Sequence, residues 1–186
     1  MRTMRSDARR NRELLIAAAR DAFAAHGPDA PLDGIARQSG LGSGTLYRHF
    51  ATREALMRAV YWGEVESLQA SGRALLDAPS PGAALVEWLR LLIAMIGRRG
   101  LAAALMARMP DAPAQFVADC HDAMRAAAAP LLARAQAAGE VRPDLTLAEL
   151  LALVHAVGVV VDAGDRGPDR ADRLLALLVE GLRGRA

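Results

Sequence analysis

The stretch Leu32-Asp-Gly-Ile-Ala-Arg-Gln-Ser-Gly-Leu-Gly-Ser-Gly-Thr-Leu-Tyr-Arg-His-Phe50 has the pattern of two short helices joined by a tight turn. Gly40 stands where the first helix must end in a left-handed residue, a conformation that glycine adopts without strain. Apolar residues at helical spacing would pack the pair together: Ile35, Ala36, Leu46 and Phe50. The pattern is typical of a helix-turn-helix, which places its second helix in the major groove of DNA.

The second helix of this pair has a polar outer side. Four residues that lie around the apolar positions Leu46 and Phe50 have side chains that can form hydrogen bonds: Ser43, Thr45, Arg48 and His49. Side chains of this kind recognise base edges and phosphates, so we expect them to face DNA.

The segment Gly44-Thr-Leu-Tyr-Arg-His-Phe50 is followed by Arg53-Glu-Ala-Leu56, and Ile35-Ala36 lies upstream at a matching separation. In these motifs the sequence resembles the DNA-binding domain of the TetR family of bacterial transcriptional regulators, over about residues 10–60. The resemblance implies an all-α protein that acts as a homodimer on an operator in double-stranded DNA. It also implies a repressor, released when a small-molecule effector tilts the fourth helix.

The resemblance also implies residue roles. Tyr47, His49 and Arg53 match positions that contact the phosphate backbone, and the groove-facing positions are Ser43, Gly44, Thr45 and Arg48. This sequence departs from the family pattern in two places. Gly42 stands where a serine cap is usual, and Asp33 stands where polar or basic residues often touch DNA. Because phosphate repels a carboxylate, we expect Asp33 to serve the N-terminal end of its own helix.

Composition is consistent with a helical protein that has a sizeable core. The 186 residues are 53% hydrophobic, 24% charged and only 4% aromatic. A single cysteine, Cys120, excludes an intrachain disulfide and fits a reducing cytoplasm. No signal peptide is recognisable, and the longest nearly apolar run, 150–161, is shorter than the ~20 residues that span a bilayer. We therefore expect a cytoplasmic protein without a membrane segment.

Charge is unevenly distributed along the chain. Residues 1–60 hold ten arginines against six acidic residues, a net charge of +4, which leaves −2 for residues 61–186. A basic N-terminal part on a slightly acidic body is expected of a DNA-binding domain joined to a domain with another task. Five arginines between positions 2 and 12 suggest either a flexible basic arm that reaches phosphates or a solvated tail.

Helical periodicity and breakers predict nine helices and no strand. The predicted DNA-binding domain is 1–51, and the ligand-binding and dimerisation domain is 52–186. Thr52 is a predicted N-cap, Thr146 and Glu149 form a predicted capping box, and Gly139 is a predicted helix stop. Beyond the first three, the predicted helices cover about 53–76, 85–96, 101–109, 116–139, 146–162 and 174–182.

The last two predicted helices, the eighth and ninth, would form the dimer interface. Residues 150–161 offer more apolar surface than one neighbouring helix covers, and Gly158 would let two helices approach closely. Complete burial of this surface within one subunit is the alternative. His155, alone in this apolar helix, is a core residue, an interface residue or part of a ligand pocket.

Helices four to seven supply a polarisable apolar set suited to enclosing a small molecule. These candidate ligand-binding residues are Trp62, Trp88, Leu92, Met95, Met106, Phe116, Cys120 and Met124, with Met109 nearby. Each could equally be plain core. Few acidic residues fall on these faces, so we expect a neutral or aromatic effector.

Other chemistry finds little support in the sequence. Residues 40–44 resemble a phosphate loop but lack the Gly-Lys-Ser/Thr and the preceding strand. The four histidines lack metal-ligand spacing with Cys120 or the acids, so no metal, cofactor or enzymatic activity is expected. An activator of the same fold, or a helical carrier or enzyme without DNA binding, stays open as an alternative.

Overall fold

The computed structural model describes residues 2–97, 114–163 and 168–182. Within these ranges every regular element is an α-helix and no strand occurs, which confirms the predicted all-α fold class. The eight helices are α1 (Arg2–His26), α2 (Leu32–Gln38), α3 (Ser43–His49), α4 (Arg53–Leu75), α5 (Pro81–Gly97), α6 (Ala114–Ala137), α7 (Leu147–Ala163) and α8 (Pro168–Leu182). The predicted short helix at 101–109 lies outside the described residues. None of the described helices is long and apolar enough to cross a membrane.

The described residues form two compact units, which divide after Gly63, inside α4. In the first unit, α2 packs against both α1 and α3. Helix α1 begins at Arg2, so the segment for which the sequence suggested a flexible arm or a solvated tail is the first part of a helix. No helix breaker interrupts residues 2–26, and Arg9 forms an exposed i,i+4 ion pair with Glu13 at 3.7 Å.

In the second unit, α5 is the central helix and packs against α6, α7 and α8. Its sequence is apolar on nearly every side, as a helix surrounded by others requires. Trp88 is fully buried, and its indole Nε1–H donates a hydrogen bond to the Leu68 carbonyl oxygen at 3.1 Å. Pro81 occupies the first helical position, and the backbone N–H of Gly82 donates to the Glu140 carboxylate at 3.0 Å.

Several predicted helix boundaries rest on local hydrogen bonds or on a left-handed glycine. Thr52 caps α4, because its Oγ1 accepts from the Ala55 N–H at 3.2 Å. The capping box forms at the start of α7: Thr146 Oγ1 accepts from the Glu149 N–H at 3.3 Å, and the Glu149 carboxylate accepts from the Thr146 N–H at 2.9 Å. Gly139, which follows α6, has the left-handed φ of +71°.

Candidate nucleic-acid interface

The turn between α2 and α3 has the geometry that its glycines predict. Gly40 has a φ of +74°, and its N–H donates to the Arg37 carbonyl at 3.0 Å. The Leu41 N–H reaches back to the Ala36 carbonyl at 3.0 Å, which satisfies another terminal carbonyl of α2. A side chain with a Cβ would strain this turn at Gly40, so the turn fixes the angle at which α3 leaves α2.

The inner side of α3 is fully packed. The four residues predicted to hold the pair together are all at most 4% exposed: Ile35, Ala36, Leu46 and Phe50. The Arg12 guanidinium carbon lies 5.5 Å from the centre of the Phe50 ring, within cation–π range. Arg12 therefore joins α1 to the end of the recognition helix rather than belonging to a free arm.

The outer side of α3 presents the polar residues assigned to DNA. Arg48 is exposed and Tyr47 is 50% exposed, while Ser43, Thr45 and His49 are partly exposed. A Cβ at Gly44 would meet no atom within 4 Å, so another backbone or a base can approach closely there. The structure thus brings the six candidate DNA-contacting residues of α3 onto one short helix.

Arg48 lies along its own helix. Its Nε donates to the Gly44 carbonyl at 3.2 Å, and its Nη2 donates to Thr45 Oγ1 at 3.3 Å. This contact holds the guanidinium beside the first turn of α3, where the N-terminal residues of a recognition helix meet base edges. Thr45 Oγ1 accepts here, so its own hydroxyl proton can be donated elsewhere.

Asp33 has a role that the sequence analysis missed. The Ser43 hydroxyl donates a hydrogen bond to Asp33 Oδ1 at 2.6 Å, across ten residues of sequence. Asp33 does lie in the first turn of α2, as expected, but it also links α2 to the first residue of α3. The unusual acid at this position was the only feature that could have indicated the link. The N-cap of α3 is Gly42, which has no side chain to cap the helix.

Arg53, which is predicted to contact a DNA phosphate, also forms hydrogen bonds within the protein. Its Nη1 donates to the carbonyl oxygens of Pro28 and Ala30, at 3.0 and 2.6 Å. These carbonyls lie in the loop between α1 and α2, so Arg53 ties the start of α4 to that loop. Phosphate contact by Arg53 stays a prediction.

The candidate effector residues are distributed over both units. Trp62 is half-buried in the first unit. In the second unit, Trp88 and Leu92 belong to the buried core, and Met95 and Met124 pack against it. Phe116, Cys120 and Met124 follow one another at four-residue intervals on α6. Cys120 is buried, and the other two are half-buried. Met106 lies outside the described residues, as does Met109.

Two open grooves of the second unit are lined by other residues. One of about 780 Å³ lies between the start of α5, the turn after α6, and α8. The other, of about 640 Å³, lies between α7 and α8 and includes Leu153, Leu177 and Leu178. Among the residues that the structure describes, no candidate effector residue lines either groove. In the described ranges, no three His, Cys, Asp or Glu side chains gather as a metal site would require.

Burial determines the chemistry of Cys120. The thiol is 2% exposed, and burial, with a smaller effect of the neighbouring Asp119 charge, raises its pKa to about 11. The side chain is therefore a protonated, apolar thiol at neutral pH. It can line an apolar cavity, but it is not an activated nucleophile.

The last two helices expose several large apolar side chains. Leu153, Val159 and Val160 on α7 are 44–46% exposed, and Leu177 on α8 is 56% exposed. Gly158, in contrast, faces inward: a Cβ there would lie 2.6 Å from Ile96 Cγ2. The close approach that Gly158 permits is therefore between α7 and α5 of one subunit, which corrects the expectation that it serves the dimer. His155 is exposed on α7 rather than buried in the core.

Two family models match the chain. The model described as bacterial regulatory proteins, tetR family, matches residues 15–60, and the model described as transcriptional regulator SbtR-like, C-terminal domain, matches residues 80–184. The chain belongs to the TetR family. Proteins of this family are DNA-binding transcriptional regulators, typically repressors, that are dimeric and bind small-molecule effectors.

Relatives of known structure agree with this assignment along nearly the whole chain. A TetR transcriptional regulator from Streptomyces coelicolor is 35% identical, with a TM-score of 0.79 over 94% of this chain and 99% of that one. A TetR regulator from Mycobacterium vanbaalenii is 33% identical, with a TM-score of 0.72 over 97% and 99%. The HTH-type transcriptional regulator UidR of Escherichia coli is 28% identical over 177 residues, 89% of this chain and 88% of UidR.

Proposed function

We propose that this TetR family regulator is an operator-specific repressor whose recognition helix is α3. The observation that supports the proposal is the division of α3 into a buried apolar side and an outer side of hydrogen-bonding residues. In this proposal Ser43, Gly44, Thr45 and Arg48 face the major groove, while Tyr47, His49 and Arg53 hold the phosphates. The protein acts in the cytoplasm, where bacterial operators are, and it performs no enzymatic reaction.

A titration of labelled duplexes by fluorescence anisotropy, over a range of salt concentrations, tests this proposal. Duplexes from the region upstream of the protein's own gene are compared with scrambled duplexes of equal length. Arg53→Ala removes a phosphate contact, so it should weaken all duplexes alike and lower the salt slope by about one unit. Arg48→Ala should instead change the discrimination at one base pair by ~1–3 kcal/mol.

Arg53→Lys is the matched control, because it keeps the cation but lacks the planar guanidinium that reaches two loop carbonyls. We expect its salt slope to resemble that of the wild type. Equal binding of every duplex by the wild type, or an unchanged slope in Arg53→Ala and unchanged discrimination in Arg48→Ala, would contradict the assignment.

The dimer would form through α7 and α8, packed against the same helices of a second copy. The exposed apolar side chains of these helices support this arrangement, because a monomer would leave them in water. In a symmetric dimer the same surface serves both subunits. Two α3 helices would then enter successive major grooves, roughly 34–36 Å apart.

The effector would bind among the apolar side chains of α4, α5 and α6. The face of Phe116, Cys120 and Met124 on α6, and Met95 on α5, support this location, because methionine and a neutral thiol adapt to irregular apolar shapes. A neutral or aromatic molecule suits this lining. It can release DNA only by binding the released conformation better than the DNA-bound one. In this proposal the two conformations differ in the tilt of α4.

Intrinsic tryptophan fluorescence tests the effector site, because both tryptophans, Trp62 and Trp88, are in the candidate set. A molecule that releases DNA should change the emission over the same concentration range. Trp62→Phe and Trp88→Phe should each alter its affinity or the emission response. A releasing molecule whose affinity and emission response both variants leave unaltered would place the site elsewhere.

A further inference from the structure

The first turn of α3 contains two hydroxyl groups with opposite hydrogen-bonding roles. Ser43 donates a hydrogen bond to Asp33, whereas Thr45 accepts a hydrogen bond from Arg48. A hydroxyl has one proton to donate and two lone pairs to accept with. Ser43 can therefore only accept from a base, while Thr45 still has a proton to donate.

The direction of the Ser43 hydrogen bond follows from chemistry. An ionised carboxylate accepts hydrogen bonds and has no proton to donate, so the hydroxyl must be the donor. The separation of 2.6 Å is short, as expected for an O–H donor and a charged acceptor. Such a bond is stronger than one between neutral groups, so it fixes the orientation of the hydroxyl before DNA arrives.

The major groove offers both donors and acceptors at base edges. Adenine N6 and cytosine N4 donate, whereas guanine O6, thymine O4 and the purine N7 atoms accept. A carboxylate near the base edge adds to the preference, because Asp and Glu accept from cytosine N4 and repel the guanine and thymine oxygens.

We infer that Asp33 is a specificity-determining residue, which holds Ser43 as an acceptor and so selects an amino group of adenine or cytosine at one position of each half-site. The inference rests on the proposed function, in which the first turn of α3 enters the major groove. Asp33 acts on that base through the Ser43 hydroxyl and is in this sense a positioning residue.

Selection from randomised duplexes, performed with the full chain and followed by sequencing, tests the inference. The wild type should enrich adenine or cytosine at one position in each half-site. Asp33→Ala frees the Ser43 proton, so guanine and thymine should be accepted there, with a loss of roughly fivefold in discrimination. Ser43→Ala should lose the preference at that same position and keep the others.

Asp21→Ala is the matched control, since Asp21 is an exposed carboxylate on α1 of the same unit. It changes the net charge equally, so any general gain in DNA affinity from lost repulsion should appear in both aspartate variants. Only Asp33→Ala should alter the base preference. Circular dichroism and thermal unfolding confirm that each variant is folded, and Asp33→Leu, whose side chain likewise cannot accept from Ser43, serves if the alanine variant is not.

Two failures have different meanings. If the wild type enriches no sequence at all, the proposed operator binding is wrong. If the wild type enriches an operator and neither folded Asp33 variant changes the preference at any position, Asp33 does not determine specificity. An enriched guanine or thymine at the position that Ser43→Ala affects would also overturn the inference.

Discussion

The recognition helix α3 and the last two helices, α7 and α8, all bury apolar side chains, but they differ in what their outer sides present. On α3 the accessible side chains are hydrogen-bonding ones, among them Arg48 and Tyr47. On α7 and α8 the accessible surface includes Leu153 and Leu177, whose side chains gain nothing from water. A polar outer face suits the charged and hydrated surface of DNA, and an apolar one suits a protein surface that excludes water. The two regions thus differ in the kind of partner they can bind.

Leu177→Arg tests the proposed role of the apolar outer surface in dimerisation, and it should have the largest effect of the changes considered. Leu177 is the most exposed of the large apolar side chains that the structure describes on α7 and α8, so the change is harmless in a monomer. In a dimer through these helices it would bury one unpaired charge from each subunit, at ~3–5 kcal/mol apiece. We expect the dimer dissociation constant to rise by about 100-fold or more, measured by light scattering.

Ala133→Arg provides a control, because Ala133 is exposed on α6 of the same unit. It should leave the dimer intact. Leu177 is also a better test than Val157 or Leu178, which are half-buried against the core, so a charge there would disturb folding as well. If Leu177→Arg stays dimeric and folded by circular dichroism, the exposed apolar side chains of α7 and α8 do not form the dimer interface. The proposed difference in partners between these helices and α3 would then be wrong.

Trp88→Ala tests which apolar side chains of the second unit belong to its interior. Trp88 is fully buried, so its removal should lower the free energy of unfolding by ~3–5 kcal/mol. Leu91→Ala, at a 36% exposed position of the same helix, should cost about 0.5 kcal/mol or less. Urea unfolding of both variants measures the difference. Similar costs would mean that Trp88 lines a cavity, as a ligand-binding residue would, rather than the core.

Features fixed by one residue's own chemistry could be predicted from the sequence. Gly40 and Gly139 have left-handed backbones because no other residue adopts them as easily, and the Thr146–Glu149 capping box depends on a spacing of three. The buried faces of α2 and α3 could also be predicted, because helical periodicity depends only on the spacing of neighbouring residues in the sequence.

Features that depend on distant residues could not be predicted. The Asp33–Ser43 hydrogen bond joins two helices, and Gly158 meets Ile96 across a helix interface, so neither can be read from local spacing. An apolar position such as Trp88 has the same sequence pattern whether it faces core or cavity. The arginines between positions 2 and 12 suggested an arm or a solvated tail because polar residues show no periodicity, although no residue there breaks the helix.

The smallest expected effect concerns the N-terminus of α7, where the apolar surface begins. Thr146→Ala removes the cap and should lower Tm by roughly 2–4 °C, measured by calorimetry. The hydrogen bonds from the Thr146 side chain and then its backbone lower the pKa of Glu149 below its usual 4.5. A carboxyl with a lowered pKa in the folded state stabilises the fold above pH 4.5, and this contribution is lost as the pH falls through the folded-state value.

Glu149→Gln isolates that ionisation, because the amide oxygen can still accept the capping hydrogen bond but has no charge to lose. The wild type should be the more stable of the two at pH 7, and its advantage should disappear as the pH is lowered below 4.5. In Thr146→Ala the same Glu149→Gln change should show a weaker dependence on pH, because the main partner of the carboxylate is gone. A wild-type advantage that persists undiminished at pH 3 would show that the Glu149 charge does not stabilise this end of α7.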